Sequence, residues 1–293
     1  MTKIPIQLLI TDLDNTVYDW VSFYANATAA LVREAERLLD VPADEILDDL
    51  RAVHQRFGTM ERPYALLDTD VVVRCLPRRT RRERATHLDA AFHAFDEARS
   101  HALRMNPGAL ETLETLSGNC VVVAHTESSA FNATLRLELT GLSRLFRRVY
   151  ASADQNIDHP FPERIREVPE LAEKMKLLLP LKRKPDPEIV LSICKEFGVK
   201  PDRCAYVGDS LQRDMVMAKQ AGVCAVWARY GTEHSADHWR HVLRVSYWTA
   251  DDVRRDELSR RALETMKPDA VIDRFSDLVD IFSFSAAPVL TPT

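Results

Sequence analysis

Glycine is scarce, with 8 in 293 residues. A chain that cradles a nucleotide on its backbone needs a glycine-rich turn, and neither G-x-G-x-x-G nor G-x-x-x-x-G-K-[ST] occurs. Cysteine is scarce and unpatterned. The five thiols (Cys75, Cys120, Cys194, Cys204 and Cys224) form no C-x-x-C pair, so buried reduced cysteines of a cytoplasmic protein are expected rather than a disulfide framework. No apolar run approaches the ~20 residues of a membrane span. The opening MTKIPIQLLITDLDN runs from a short apolar stretch straight into acids, which is wrong for a secretory signal. Neither sign of charge dominates: Lys+Arg number 39, Asp+Glu 44, and the formal net charge is -5. That balance gives no reason to expect nucleic acid or an anionic membrane as a partner.

What is present is enough apolar material, 46% of the chain, to bury a sizeable core in one or two domains. Short aliphatic runs at 6–10, 120–124, 204–207 and 223–227, with a weaker one at 146–151, suit strands buried on both faces. Helical patterns lie between them: from the cap-like Asn106-Pro107 to Leu116, over 128–139, from Asp186 to a stop at Gly198, and from Leu211 to Gly222. The alternation predicts an α/β fold, a Rossmann-like parallel sheet with helices on both faces. Residues 21–104 break the rhythm, being helical throughout with charged faces. They read as an all-helical domain inserted into a core made of 1–20 and 105–293. Segments 155–181 and 234–267 read as surface elaborations, and SAAPVLTPT as a frayed tail.

Four elements bear on chemistry, each at a strand end or helix start, where ligands gather in open parallel sheets. Asp12 and Asp14 follow the first strand and could supply an attacking carboxylate and a separate proton donor. Taken alone, such a pair also fits a glycosyltransferase metal site or a solvated turn. Thr126 follows the second strand, where its hydroxyl could hold a phosphoryl oxygen. A helix cap is the plainer role, for which Ser128 and Ser129 compete. Lys184 precedes Pro185 at a helix entrance, with Lys182 as its local rival. Asp209 and Asp214, in VGDSLQRD, offer the hard oxygen donors that Mg²⁺ takes. The plainer alternative there is a capped turn with incidental acids.

DLDNT, the strand-terminal Thr126, KPDPE and GDSLQRD together resemble the four motifs of the haloacid dehalogenase (HAD) superfamily. The resemblance covers about residues 4–20 and 105–232, and more weakly 270–283. It implies that 21–104 is the α-helical cap of subclass I members. It further implies the phosphatase branch, because the dehalogenase branch lacks an acid at the position of Asp14. On this resemblance Asp12 attacks phosphorus to give an aspartyl-phosphate, and Asp14 serves as acid and then base. Thr126 and Lys184 hold phosphoryl oxygens. Mg²⁺ sits on Asp12, the Asp14 carbonyl and Asp209, with Asp214 positioning a ligand or water. His125 and Glu127, flanking Thr126, depart from the smaller or amide residues expected there.

The loop over 54–64, interrupted by Gly58 and Pro63, is the best place for substrate reading. Arg56 and Arg62 could bind a second anion, and Tyr64 or Phe57 could stack on a ring, against the plainer reading of an interhelical loop with surface charges. The basic cluster over 78–84 reads as a solvated helix start rather than a nucleic-acid patch. The expected substrate is a small phosphorylated metabolite. A phosphotransferase or mutase on the same scaffold and a non-catalytic interaction module are the alternatives. A receiver domain is disfavoured by the helical insert and the late acid pair. Oligomeric state has no signature in the sequence.

Overall fold

The computed structural model describes residues 3–62, 64–154, 159–161, 168–179, 182–251, 253–254 and 267–286. Among them, seven parallel strands form one sheet in the order β5-β4-β3-β2-β6-β7-β8. These are β2 (Leu8–Thr11), β3 (Val121–Ser129), β4 (Arg148–Ser152), β5 (Met175–Leu178), β6 (Cys204–Gly208), β7 (Cys224–Ala228) and β8 (Ala270–Ile272). Successive side chains of a strand point to opposite faces, so a strand covered on both sides must be apolar at every position. Over residues 8–10, β2 meets this requirement: Leu9 joins one hydrophobic cluster, with Val122, Ala205 and Phe282, while Leu8 and Ile10 join the other, with Val123, Tyr206 and Ile193.

The run at 6–10 is not one strand. Ile4–Ile6 (β1) pairs in parallel with Phe282–Phe284 (β9) in a separate two-stranded sheet. The chain is handed over at Gln7, whose N–H donates to the Arg203 carbonyl. The sequence reading also missed β5, an edge strand inside the segment expected to be a surface elaboration; residues 155–158, 162–167 and 180–181 of that segment lie outside the described residues. Residues 287–293 of the expected tail, together with 252 and 255–266, also lie outside them.

From β2 the chain moves outward through β3, β4 and β5. It then returns to place β6 on the other side of β2. The reversal opens a crevice at the carboxyl ends of β3, β2 and β6.

Between β2 and β3 the chain is helical: α1 (Trp20–Leu39), α2 (Ala43–Phe57), α3 (Asp70–Cys75), α4 (Arg81–His87) and α5 (Asp89–Ala102), followed by α6 (Ala109–Ser117) beneath the sheet. Asp19 caps α1 by accepting from the Ser22 N–H at 2.9 Å, and α2 stops at Gly58 in the left-handed conformation. α4 opens on a Thr80–Glu83 capping box, and Arg81 is paired with Asp68, so the basic cluster is a helix start. Leu31, Ile46, Leu50, Val71 and Leu88 belong to a hydrophobic cluster of these helices' own. The strands of chain leading out to the helices and back lie side by side, with the Asp19 N–H donating to the Arg104 carbonyl and the Asn106 N–H to that of Val17. Asn106 does not cap α6. Its side-chain amide donates to the carbonyls of Asn15 and Thr16, and Gly108, at φ 78°, begins the helix.

The remaining helices cover the sheet: α7 (Ala130–Thr140), α8 (Pro169–Lys174), α9 (Pro187–Glu196) and α10 (Val216–Gln220). α11 (Ala236–Val245), within the second expected elaboration, packs against α1 and α2. Arg51 donates to the Leu243 carbonyl and Arg244 pairs with Asp48 at 2.6 Å. None of the five cysteines is paired. No helix of the described residues is long and apolar enough to cross a membrane.

Candidate active site

Asp12 is the first residue after β2, held there by its N–H donating to the Val207 carbonyl of β6 at 2.8 Å. The residue is 6% exposed, with Oδ1 accepting from Lys184 Nζ at 2.5 Å and Oδ2 from Thr16 Oγ1 at 3.3 Å. Lys184 also donates to Asp214 Oδ1 at 2.8 Å. Its rival Lys182 is engaged elsewhere, in an ion pair with Asp186 at 2.7 Å. Asp186 in turn caps α9, accepting from the Glu188 N–H, and that helix start fixes the approach of Lys184.

The β6 end supplies the remaining acids. Ser210 caps the turn of π-helix Leu211–Met215, and Asp214 folds back so that its Oδ2 accepts from the Ser210 N–H at 3.0 Å. Gly208 makes that fold-back possible, since a Cβ there would strike the Asp214 carboxylate. Carboxylate oxygens of Asp12, Asp209 and Asp214 all lie within 4.8 Å of one another. Lys184 and Asp209, from segments remote in sequence, thus both stand beside Asp12.

Thr126 is fully buried, within β3 rather than just beyond it, and its Oγ1 accepts from the Ser128 N–H at 3.1 Å. Ser129, not Ser128, caps α7. Asp14 is not one of this trio; its carboxylate is engaged by Ser128 and Arg136. His125 is a core residue. Its imidazole contacts the Tyr206 hydroxyl at 3.1 Å, and burial together with Lys184 holds it well below its ordinary pKa. Glu127 pairs with Arg213 at 2.8 Å.

Asp12, Asp14, Thr126, Lys184, Asp209 and Asp214 share one cavity of about 290 Å³. Gly58, Thr59, Met60 and Glu61 close it from the helical side, and Tyr247 and Trp248 from beyond α11. The three residues expected to read substrate sit elsewhere. Arg62, stacked 3.6 Å over Phe57 and paired with Asp68, and Tyr64, edge-on to Phe92 and His159, line an adjoining cavity of about 350 Å³. Arg56 donates to the Asp68 carbonyl and lines neither cavity. Sequence reasoning missed Arg136, Glu61, Tyr206 and Trp248. Only Arg136 left a trace, as a charge beside the buried Ala133 and Leu137 on α7.

The crowding of charge shows in the titration of Asp12, Asp209 and Lys184. Burial, with Asp214 and Asp14 adding and Lys184 opposing, raises Asp12 from 3.8 to about 7. Burial, with Asp12 and Asp214 adding, holds Asp209 well above its ordinary value. Burial alone would lower Lys184, but Asp12 and Asp214 keep it well above its ordinary value. A group that binds its proton more tightly folded than unfolded makes stability fall as pH rises between the two pKa values. In EDTA, raising the pH from 5 to 8 is therefore expected to cost wild type on the order of 2–3 kcal/mol more than Asp12→Asn. Chemical denaturation at the two pH values checks this. Identical pH dependence in both proteins would remove Asp12 as the source.

The chain is matched over residues 6–222 by the family model described as haloacid dehalogenase-like hydrolase, and over 181–278 by a second HAD-like hydrolase model. It belongs to the haloacid dehalogenase-like hydrolase family. Over 96% of its length it is 26% identical to a protein of Dickeya dadantii named probable phosphatase IndB, covering 97% of that protein. It is 38% identical to an N-acetylmuramic acid 6-phosphate phosphatase of Pseudomonas aeruginosa, over only 23% of this chain and 27% of that one. Among solved structures, a 2-haloacid dehalogenase of Pseudomonas syringae pv. tomato superposes with a TM-score of 0.54 at 22% identity, covering 94% of this chain and 97% of that one, a likeness of fold.

Proposed function

We propose that this chain is a Mg²⁺-dependent phosphatase that cleaves a small phosphate monoester through an aspartyl-phosphate on Asp12. One observation carries the reading. A buried carboxylate at the switch point is shielded by one lysine and faces two further carboxylates within a single ligand's reach. Asp12 attacks phosphorus, and the departing alkoxide takes a proton from Asp14. Water then attacks the aspartyl-phosphate and gives its proton to Asp14, which releases inorganic phosphate and restores Asp12. Lys184 and the Thr126 hydroxyl hold the oxygens of the phosphoryl group, and Asp214 keeps Lys184 in place. The donors suit Mg²⁺, being hard oxygens with excess negative charge; Asp12, Asp209, Asp214 and the Asp14 carbonyl would hold it. When bound, it offsets the repulsion between a carboxylate and a phosphate dianion.

Residues 21–104 are read as the cap, with the loop from Gly58 to Glu61 lying over the leaving group. The two relatives are both named phosphatases, but their names give no common substrate, so the alcohol is to be found by experiment. Phosphate release from a panel of phosphorylated metabolites, with and without Mg²⁺, tests the proposal. Turnover of some members only in Mg²⁺ is expected. Formation of phosphosugar isomers without release of phosphate would replace the phosphatase by a mutase, and no turnover of any ester would replace it by a binding module.

A further inference from the structure

Asp14 does not stand alone at the edge of the site. Arg136 Nη1 donates to its Oδ1 at 2.8 Å, and Ser128 Oγ lies 2.7 Å from its Oδ2. Arg136 is 2% exposed and is braced by the Phe23 ring, 5.2 Å from its guanidinium carbon. The other edge of the guanidinium, Nη2, donates to Glu61 Oε1. The same oxygen accepts from Trp20 Nε1 at 2.5 Å, and Glu61 Oε2 lies 3.0 Å from Ser128 Oγ. Ser128 has one proton to give, and two carboxylates stand within its reach. The Glu61 backbone is seated as well, its carbonyl accepting from Asn132 Nδ2 at 3.0 Å, while the neighbouring Met60 carbonyl accepts from the Tyr24 hydroxyl at 2.8 Å. One buried guanidinium is thus divided between a carboxylate of the loop after β2 and a carboxylate of the helical insert's loop.

Stability alone is a poor account of this arrangement. A buried ion triad is a costly way to fasten a loop, and well-packed apolar side chains do as well or better. What the triad supplies and an apolar contact cannot is direction. It fixes which way the Asp14 carboxylate points, and it does so only while Glu61 holds the far edge of the guanidinium.

We propose that Arg136 and Glu61 are positioning residues that make the orientation of Asp14 depend on the seating of the Gly58–Glu61 loop over the site. This rests on the reading of Asp14 as the proton donor to the leaving group. With Glu61 seated, Arg136 is held from both edges and Asp14 is aimed. With Glu61 withdrawn, the guanidinium loses its second anchor and Asp14 loses its fixed geometry. Substrate that lets the loop settle therefore sets the acid as it enters.

The test compares leaving groups. Expulsion of p-nitrophenolate needs no proton, whereas expulsion of the alkoxide of β-glycerol phosphate does, and kcat/KM covers only the steps through the first departure. In Mg²⁺, Arg136→Met and Glu61→Gln are expected to lower kcat/KM for β-glycerol phosphate about tenfold or more, with the loss in kcat. For p-nitrophenyl phosphate the fall is expected to stay within about threefold, below the scale of a lost general acid. Asp14→Asn is the reference and is expected to show the same discrimination. Equal losses on both esters in the Arg136 and Glu61 variants, or no loss on either, while Asp14→Asn discriminates, would overturn the proposal alone. No discrimination by Asp14→Asn would overturn the reading beneath it. Should Arg136→Met fail to fold, Glu61→Gln and Arg136→Lys decide by the same ratio.

Discussion

Asp12→Asn is expected to fold, and to lose phosphate release in Mg²⁺ by about 10⁴-fold or more. The amide keeps the shape of the carboxylate and can still accept from Lys184, but it cannot attack phosphorus. Enzymes speed phosphate-monoester hydrolysis by up to about 10²¹-fold, so a background route through water gives almost no rescue. Folding should not suffer. The wild-type carboxylate is buried, and burial together with Asp214 and Asp14 already pushes its pKa to about 7. A neutral isostere relieves that crowding and is expected to raise metal-free stability at pH 8. Turnover of the best substrate gives the first readout, and mass spectrometry of acid-quenched protein gives the second. Wild type should carry a phosphoryl group on Asp12, and Asp12→Asn none. An Asn variant that keeps more than about one part in a hundred of wild-type turnover would end the assignment of Asp12 as nucleophile.

Asp12, Lys184 and Asp209 were legible because each sits at punctuation that a one-dimensional reading detects. Asp12 closes an aliphatic run, Lys184 stands before a proline and a capped helix, and Asp209 follows the glycine that ends β6. Their convergence follows from topology, since parallel strands bring their carboxyl ends to one edge. Arg136 was hard to read for the opposite reason. A charge on an amphipathic helix reads as a solvent group until the surface that covers it is known, and that surface is a loop from the helical insert. Arg62 and Tyr64 are placed by other forces. Their types suit recognition, but Asp68, Phe57, Phe92 and His159 engage them within the insert, so they border the adjoining cavity. β5 escaped notice because an edge strand of four residues, half of them exposed, has neither the length nor the unbroken apolar character of the central strands.

Lys184→Met is expected to have the second large effect, on stability as well as turnover. The Lys184 ammonium is the shared partner of Asp12 and Asp214, and all three side chains are nearly closed to solvent. Methionine fills much the same volume but leaves two buried carboxylates facing each other without a cation. Breaking a buried pair in this way costs about 3–5 kcal/mol. In a chain of this size that lowers the melting temperature by on the order of 10 °C. The loss should depend on pH with a definite sign. Without Lys184 the Asp12 carboxylate takes up its proton more readily still, so at pH 5 it is neutral and the penalty shrinks, whereas at pH 8 it is felt in full. Adding Mg²⁺ at pH 8 should recover part of it, because a cation held by Asp12, Asp209 and Asp214 screens the same charges. Turnover should stay at least about 100-fold down even in saturating Mg²⁺, because the phosphoryl group loses a fixed positive partner in the transition state. Melting curves at the two pH values, with EDTA or Mg²⁺, separate these effects. A variant that melts like wild type at pH 8 in EDTA would show that Lys184 does not hold this cluster together.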